Sequence, residues 1–265
     1  MSTNPACLGR RSAVIWAATL AVTLALLMPA VPAAAQTQTL VVATDSTLAP
    51  AMGEVARAFE ASRPGVAISV LPGAPGALLS RMAQDQAVDV LAGADAQTAA
   101  LGVSRRLLQP ELRSVFASNT LVLVVPASLN LPVQRLSDLT RAEVVRVAIG
   151  RQTVEPAGRY AREALDAQRL WTALQRKLVQ VDTVREVLDL VASAEVEAGL
   201  VYATDAAAAA GRVRVVQTVA TNTPVRHLVH VSSSSAQPAL ARSFAEYLLS
   251  EPARAVWERF GFGPP

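Results

Sequence analysis

The chain has 265 residues, of which 52% are hydrophobic and 17% charged, and a formal net charge of +3. Its one cysteine, Cys7, lies on the wrong side of the N-terminal apolar segment for a lipoprotein, so a chain processed after residue 35 has no thiol, which excludes disulfides, thiolate nucleophiles and cysteine-held metals. Arg10 and Arg11 leave with that segment, so 22 basic residues, nearly all scattered arginines, face 21 acidic ones, and no nucleic-acid partner is expected.

The N-terminus has the layout of an export signal. Arg10 and Arg11 form a positive head, Ala13 to Met28 is apolar and uncharged, and Ala33-Ala34-Ala35 supplies small residues for cleavage. Residues 1–35 are therefore expected to be removed as a signal peptide, with the periplasm as destination. Pro29 and Pro32 end the apolar stretch just before the small-residue site, which argues against a membrane anchor. The arginine pair also admits the twin-arginine route, but Ser12-Ala13-Val14 matches it poorly and ordinary secretion is favoured. The 230 residues left suffice for one large or two modest α/β domains.

From there the pattern alternates. Leu40 to Thr44 reads as a strand, and Met52, Val55, Ala56 and Phe59 fall at helical spacing on one face. Val66 to Leu71 is the next strand, Ala77 to about Gln86 a helix and Val88 to Leu91 a strand. Alternation with short corners and no tandem hairpin signals predicts parallel sheets flanked by helices. Strands at Val144 to Ile149, Leu178 to Val181 and Leu200 to Tyr202 build a second unit. The apolar runs Thr120 to Pro126 and Val225 to Val231 are candidate crossings between the two. Residues 36–120 with 226–265 then form lobe one and residues 121–225 lobe two. The C-terminal helices complete lobe one, with Leu240, Phe244, Tyr247 and Leu248 on one face and Val256, Trp257 and Phe260 on the next.

Three segments share one design: Val147 to Leu165, Val179 to Val191 and Gly199 to Ala206. In each, an apolar run breaks at a polar or proline-bearing corner and turns into a helical pattern. In an open α/β sheet such corners gather at the carboxyl ends of the strands, where helix N-termini offer unpaired N–H groups and positive dipole ends. That is the chemistry of an anion site.

The corners Glu155 to Leu165 (EPAGRYAREAL), Thr183 to Arg185 (TVR) and Gly199 to Ala206 (GLVYATDA), followed by the C-terminal Phe244 to Phe262, resemble in order and spacing the periplasmic molybdate-binding proteins, the solute-binding components of ABC importers. The resemblance covers most of the chain after residue 38. It implies a type II periplasmic-binding-protein fold with two α/β lobes and the ligand cleft between them. It also implies a monomer that hands molybdate or tungstate to an ABC permease, with no cofactor and no catalysis. Carried over position by position, it places a hydroxyl donor at Thr47 with Ser46 beside it, backbone donors at Ala157 and Val184, and a phenol donor at Tyr202. Ser46 and Thr47 also suit an N-cap for the following helix. Helix N-termini carry about half a unit charge each, so four or five converging ends roughly match a dianion. Neutral donors favour a fully deprotonated oxyanion, which accepts every hydrogen bond.

Three positions depart from the family pattern. Pro72 to Ala77 lacks the expected serine, leaving the backbone N–H groups of Gly76 and Ala77 as donors. Asp45 stands where a small apolar residue is usual. A carboxylate about 4 Å from a dianion costs roughly twice the ~4 kcal/mol of one charge pair at an effective dielectric near 20. Asp45 is therefore expected to point away, to be protonated, or to serve a different solute. Glu155 raises the same question, with Arg151 as its expected counter-charge. A same-fold protein for another small anion or polar solute is the alternative, and a periplasmic enzyme a more remote one. His227 and His230 fall on opposite faces of a strand and form no metal pair. Asp89 and Asp95 are formally an acid/base pair, but nothing aims them at a cleft. No G-x-S-x-G, S-x-x-K or G-K-[ST] pattern supports a hydrolase or a P-loop. A tetrapyrrole-building transferase of the same two-lobe fold anchors its cofactor through cysteine, which the mature chain lacks.

Overall fold

The computed structural model describes Met1 and residues 37–265; Cys7, Arg10, Arg11 and the Ala33 to Ala35 cleavage site lie outside the described residues. The chain runs β1 (Gln38–Asp45), α1 (Ala49–Ala61), β2 (Val66–Gly73), α2 (Pro75–Met82), β3 (Val90–Ala94), α3 (Ala96–Ser104), β4 (Leu108–Ser118) and β5 (Leu121–Pro126). A 3-10 turn (Leu136–Thr140) leads to β6 (Val147–Gly150), α4 (Pro156–Ala167), α5 (Trp171–Leu174), β7 (Leu178–Val181), α6 (Val184–Ala192), β8 (Ala198–Tyr202), α7 (Ala203–Ala208) and β9 (Val213–Val219). It ends with β10 (Arg226–Ser232), α8 (Pro238–Tyr247) and α9 (Glu251–Arg259).

These strands make two five-stranded sheets, ordered β2-β1-β3-β10-β4 and β7-β6-β8-β5-β9. They are mixed, not parallel as the alternation predicts. Strands β1, β2 and β3 pair in parallel, as do β6, β7 and β8, but β10 runs antiparallel to β3 and β4, and β5 antiparallel to β8 and β9. The cause is the crossing. A strand entering straight from the other lobe starts at the edge where the parallel strands end, so it must run the opposite way. Strand β4, with Gln109, Glu111 and Arg113 among its residues, and strand β9, with exposed Arg214 and Thr218, carry too many polar positions to stand out as apolar runs.

Each lobe has its own core. In lobe one α1 buries Met52, Val55, Ala56 and Phe59, and α8 and α9 pack on the same face of the sheet. The Phe59 and Phe244 rings meet edge to face at 5.1 Å, and Trp257 Nε1 donates to the Leu248 carbonyl at 3.0 Å. Helix α2 and Leu91, Leu108 and Leu228 fill the opposite face. In lobe two, Leu121 to Val125, Ile149, Leu188 and Val201 form one continuous core. Truncating a fully buried side chain such as Phe59 to alanine costs about 3–5 kcal/mol, so this core holds the corners at fixed positions.

Candidate functional site

The first corner follows β1. The Asp45 side chain is fully buried; its Oδ1 accepts from the Thr47 N–H at 3.0 Å, and the Asp45 carbonyl accepts from the Leu48 N–H at 2.9 Å. This tight turn is stabilised by its own aspartate, as Asx turns are. The turn puts Leu48, not Ser46 or Thr47, at the N-cap of α1, and that cap has no side-chain hydrogen bond. Thr47 Oγ1 instead reaches across to lobe two and donates to Asp205 Oδ2 at 3.0 Å. Ser46 is half-buried and lines, with Thr47, Arg185, Asp205 and Phe262, a cavity of about 320 Å³ between the lobes.

At the second corner, Gly76 lies against lobe two. Its N–H donates to the Val154 carbonyl at 2.8 Å, and a Cβ at this position would stand 2.7 Å from Val154 Cα. The Gly76 donor expected for a ligand is thus engaged between the lobes, and glycine is required there by the approach of two backbones.

Lobe two supplies the remaining corners. Glu155 is the N-cap of α4: its Oε1 accepts from the Ala157 N–H at 3.2 Å, and the side chain is fully buried. Val184 opens α6, behind a capping box in which Thr183 and Glu186 bond each other's backbone N–H groups. As the first helical residue it has an N–H without an intrahelical acceptor. Tyr202 ends β8 and is 1% exposed. Its ring stands edge to face with His227 of lobe one, centroids 5.8 Å apart. Glu155 and Asp45 both act electrostatically on its hydroxyl.

Two of the donors that the sequence assigns to an oxyanion, the Thr47 hydroxyl and the Ala157 N–H, therefore hold the chain's own carboxylates, Asp205 and Glu155, and the Thr47 N–H holds a third, Asp45. Asp45 Oδ2 and Glu155 Oε2 are buried with no hydrogen-bond partner. Burial pushes Asp45 up from 3.8 to about 7, against the Thr47 hydrogen bond and with the help of Asp205 and Asp95. Glu155 is pushed well above the ordinary carboxylate range, first by burial and then by Asp45. Burial likewise raises Asp205 to about 7, opposed by the Thr47 hydroxyl and Arg185. Arg151 does not neutralise Glu155, as expected from the sequence; it pairs at the surface with Asp182 at 2.5 Å, because Glu155 turns inward to cap α4.

One further residue bridges the lobes. Arg159 of α4 forms a two-pronged pair with Asp95, 2.6 and 3.0 Å, and also donates to Thr98 Oγ1 at 2.7 Å and the Gln152 carbonyl at 2.9 Å. Asp95 is thereby occupied as the cap of α3, and Asp89 accepts from the Val41 N–H and Ser235 hydroxyl, so the two do not form an acid/base pair. A second inter-lobe cavity of about 320 Å³ is lined by Asp95, Arg113, Arg159, Tyr160, Glu163 and Arg226 among others. His227 and His230 are both buried in β10, and burial lowers His227 to about 4. Among the described residues no group of three or more His, Cys, Asp or Glu side chains is placed to hold a metal ion. Asp205 and Arg159 are the site residues that sequence reasoning missed. Both lie inside recognised stretches, but their partners are 158 and 64 residues away.

Two α/β lobes joined by two crossings, with strand-to-helix corners from both lobes meeting at a buried polar centre, define a bacterial solute-binding protein. The family model for bacterial extracellular solute-binding proteins matches residues 40–263, and the chain belongs to that family. It is 30% identical over 231 residues to the molybdate-binding protein ModA of Mycobacterium tuberculosis, covering 86% of this chain and 85% of the relative. Among solved structures, the periplasmic molybdate-binding protein of Azotobacter vinelandii superposes with a TM-score of 0.72 at 19% identity, covering 85% of this chain and 99% of that one. The sulfate-binding protein SubI of Mycobacterium tuberculosis superposes with a TM-score of 0.74 at 17% identity, covering 86% and 87%. At these identities the two structures speak for the fold alone. No helix among the described residues is long and apolar enough to cross a membrane.

Proposed function

We propose that the protein is an exported, periplasmic binding component that captures a small tetrahedral oxyanion, molybdate or tungstate, and delivers it to an ABC permease without catalysis. The observation that carries this reading is the grouping of Thr47, Ala157 and Tyr202 around the same buried carboxylates, with Arg185, next to Val184, in the cavity beside them. The curated molybdate-binding relatives support it from outside the structure. A second reading rests on the unpartnered Asp45 Oδ2 and Glu155 Oε2: if ionised, they would suit a cationic or hydrogen-bond-donating solute. Calorimetric titration of the purified protein with molybdate, tungstate, sulfate, phosphate and a set of small amines separates the two. One-to-one binding of molybdate or tungstate, with sulfate and phosphate weaker, is the expected result. Binding of an amine in place of every oxyanion would replace the first reading with the second.

A further inference from the structure

We propose that Asp45 and Glu155 are acid donors inside the ligand site, so that the oxyanion is taken up together with at least one proton and is released as the pH rises. This inference rests on the oxyanion reading above. The two side chains have the same geometry. Each uses one oxygen to accept a backbone N–H at a helix corner, 3.0 Å for Asp45 with Thr47 and 3.2 Å for Glu155 with Ala157, and each leaves its other oxygen buried and unpartnered. A protonated carboxyl has one O–H donor to give, and the free oxygen is where it belongs. A dianion offers the acceptor that such a donor lacks, and O–H to O⁻ bonds of this kind are short and strong. Ionised, the same two oxygens would confront the dianion with like charge.

The surrounding charges keep the protons in place. Asp205 of α7 and Asp95 ahead of α3 face Asp45; Asp45, Asp205 and Arg159 face Glu155. Tyr202 closes the group from β8, with Tyr160 of α4 near it, and His227 of β10 is held neutral by burial. Of the cations, Arg159 is committed to Asp95 and Arg185 lies on the Asp205 side. Burial and the mutual repulsion of the acids raise Asp45 to about 7 and push Glu155 well above the ordinary carboxylate range, so an oxyanion that binds near neutral pH can draw a proton onto this pair.

The test is calorimetric titration of sodium molybdate into the purified protein between pH 6.5 and 9, in pairs of buffers with different heats of ionisation. The expected result is an affinity that falls about tenfold per pH unit above 7, with about one proton taken up per molybdate bound. Asp45→Asn and Glu155→Gln keep a donor on the same atom, so each should hold its affinity at pH 9 better than the unaltered protein and take up fewer protons. An affinity independent of pH, with no proton uptake, overturns the inference while leaving oxyanion binding intact. Loss of binding in folded Asp45→Asn together with preference for hydrogenphosphate over molybdate also overturns it, because the carboxylates would then be acceptors. No binding of molybdate or tungstate at any pH overturns both this inference and the function on which it rests. The pH series on the unaltered protein decides the matter even if neither variant folds.

Discussion

Tyr202 shows what one residue contributes. Its phenol is buried at a strand end beside Glu155 and Asp45, with its ionisation pushed upward by burial, so at any ordinary pH it is a neutral donor. A hydrogen bond from such a donor to a charged acceptor is worth about 1.5–3 kcal/mol, or roughly 10- to 150-fold in affinity. Tyr202→Phe should therefore weaken molybdate binding by that factor in calorimetry while leaving the melting temperature of the unliganded protein nearly unchanged. An unaltered dissociation constant would place the hydroxyl outside the site. The sequence made Tyr202, Thr47 and Ala157 visible because each lies in a short stretch with a recognisable neighbourhood. It also exposed Asp45 and Glu155 as out of place. What it did not disclose is that Asp45 turns onto the Thr47 N–H and Glu155 onto the Ala157 N–H, the latter a donor that the resemblance assigns to the ligand, because the direction of a side chain at a corner depends on turn geometry. Asp205 and Arg159 stayed hidden for a different reason, since their significance comes only from partners in the other lobe.

At the scale of elements, the contact between the start of α2 and the segment before α4 joins the two lobes backbone to backbone. Gly76 is the second residue of α2 with an ordinary helical backbone, so alanine suits the helix itself and should hold or slightly raise the stability of the separated lobes. The added Cβ would nevertheless stand 2.7 Å from Val154 Cα, closer than carbon atoms tolerate, and would push the lobes apart. Gly76→Ala is expected to weaken ligand binding at least tenfold, an order-of-magnitude estimate for about 1.4 kcal/mol lost on closure, with the unliganded melting temperature within a few degrees of the original. Equal affinities would show that this contact does not form in the liganded protein. Element positions were largely readable from apolar runs: β1, β7 and α1 fall close to their predicted spans. The directions of β5 and β10 were not, since period and hydrophobicity say nothing about the edge from which a strand enters its sheet.

At the scale of the whole molecule, the buried acids and histidines give opposite expectations for stability against pH. Asp45 and Asp205 are raised from 3.8 to about 7 and Glu155 is raised as well, so between these limits the folded protein holds protons that the unfolded chain has released. Stability from these groups is complete below about pH 4 and is lost as the pH rises through 7. His227, lowered to about 4, and His230, also lowered, work the other way: their contribution is present above 6.5 and is lost as the pH falls below it. Between pH 6.5 and 8 the histidines of the unfolded chain lose their remaining protons and the trend of the buried carboxylates dominates. The unliganded protein should therefore melt at a higher temperature at pH 6.5 than at pH 8, and Asp45→Asn should raise the melting temperature at pH 8 with a gain that shrinks toward acid pH. A protein that is most stable at pH 8, or an Asp45→Asn variant less stable there than its parent, would mean that the buried acids are neutralised in some other way.

Closure of the two lobes on a tetrahedral oxyanion is read out by the melting temperature in the presence of molybdate. At a free concentration near 1,000 times a micromolar dissociation constant, mass action adds about 4 kcal/mol to the folded state. For a chain of this size that corresponds to a rise of roughly 8–16 °C. Such a rise is expected at pH 7 with millimolar molybdate or tungstate, with much smaller shifts for sulfate and phosphate. No shift with either metal oxyanion, alongside a clear shift with an amine or another cation, would contradict it.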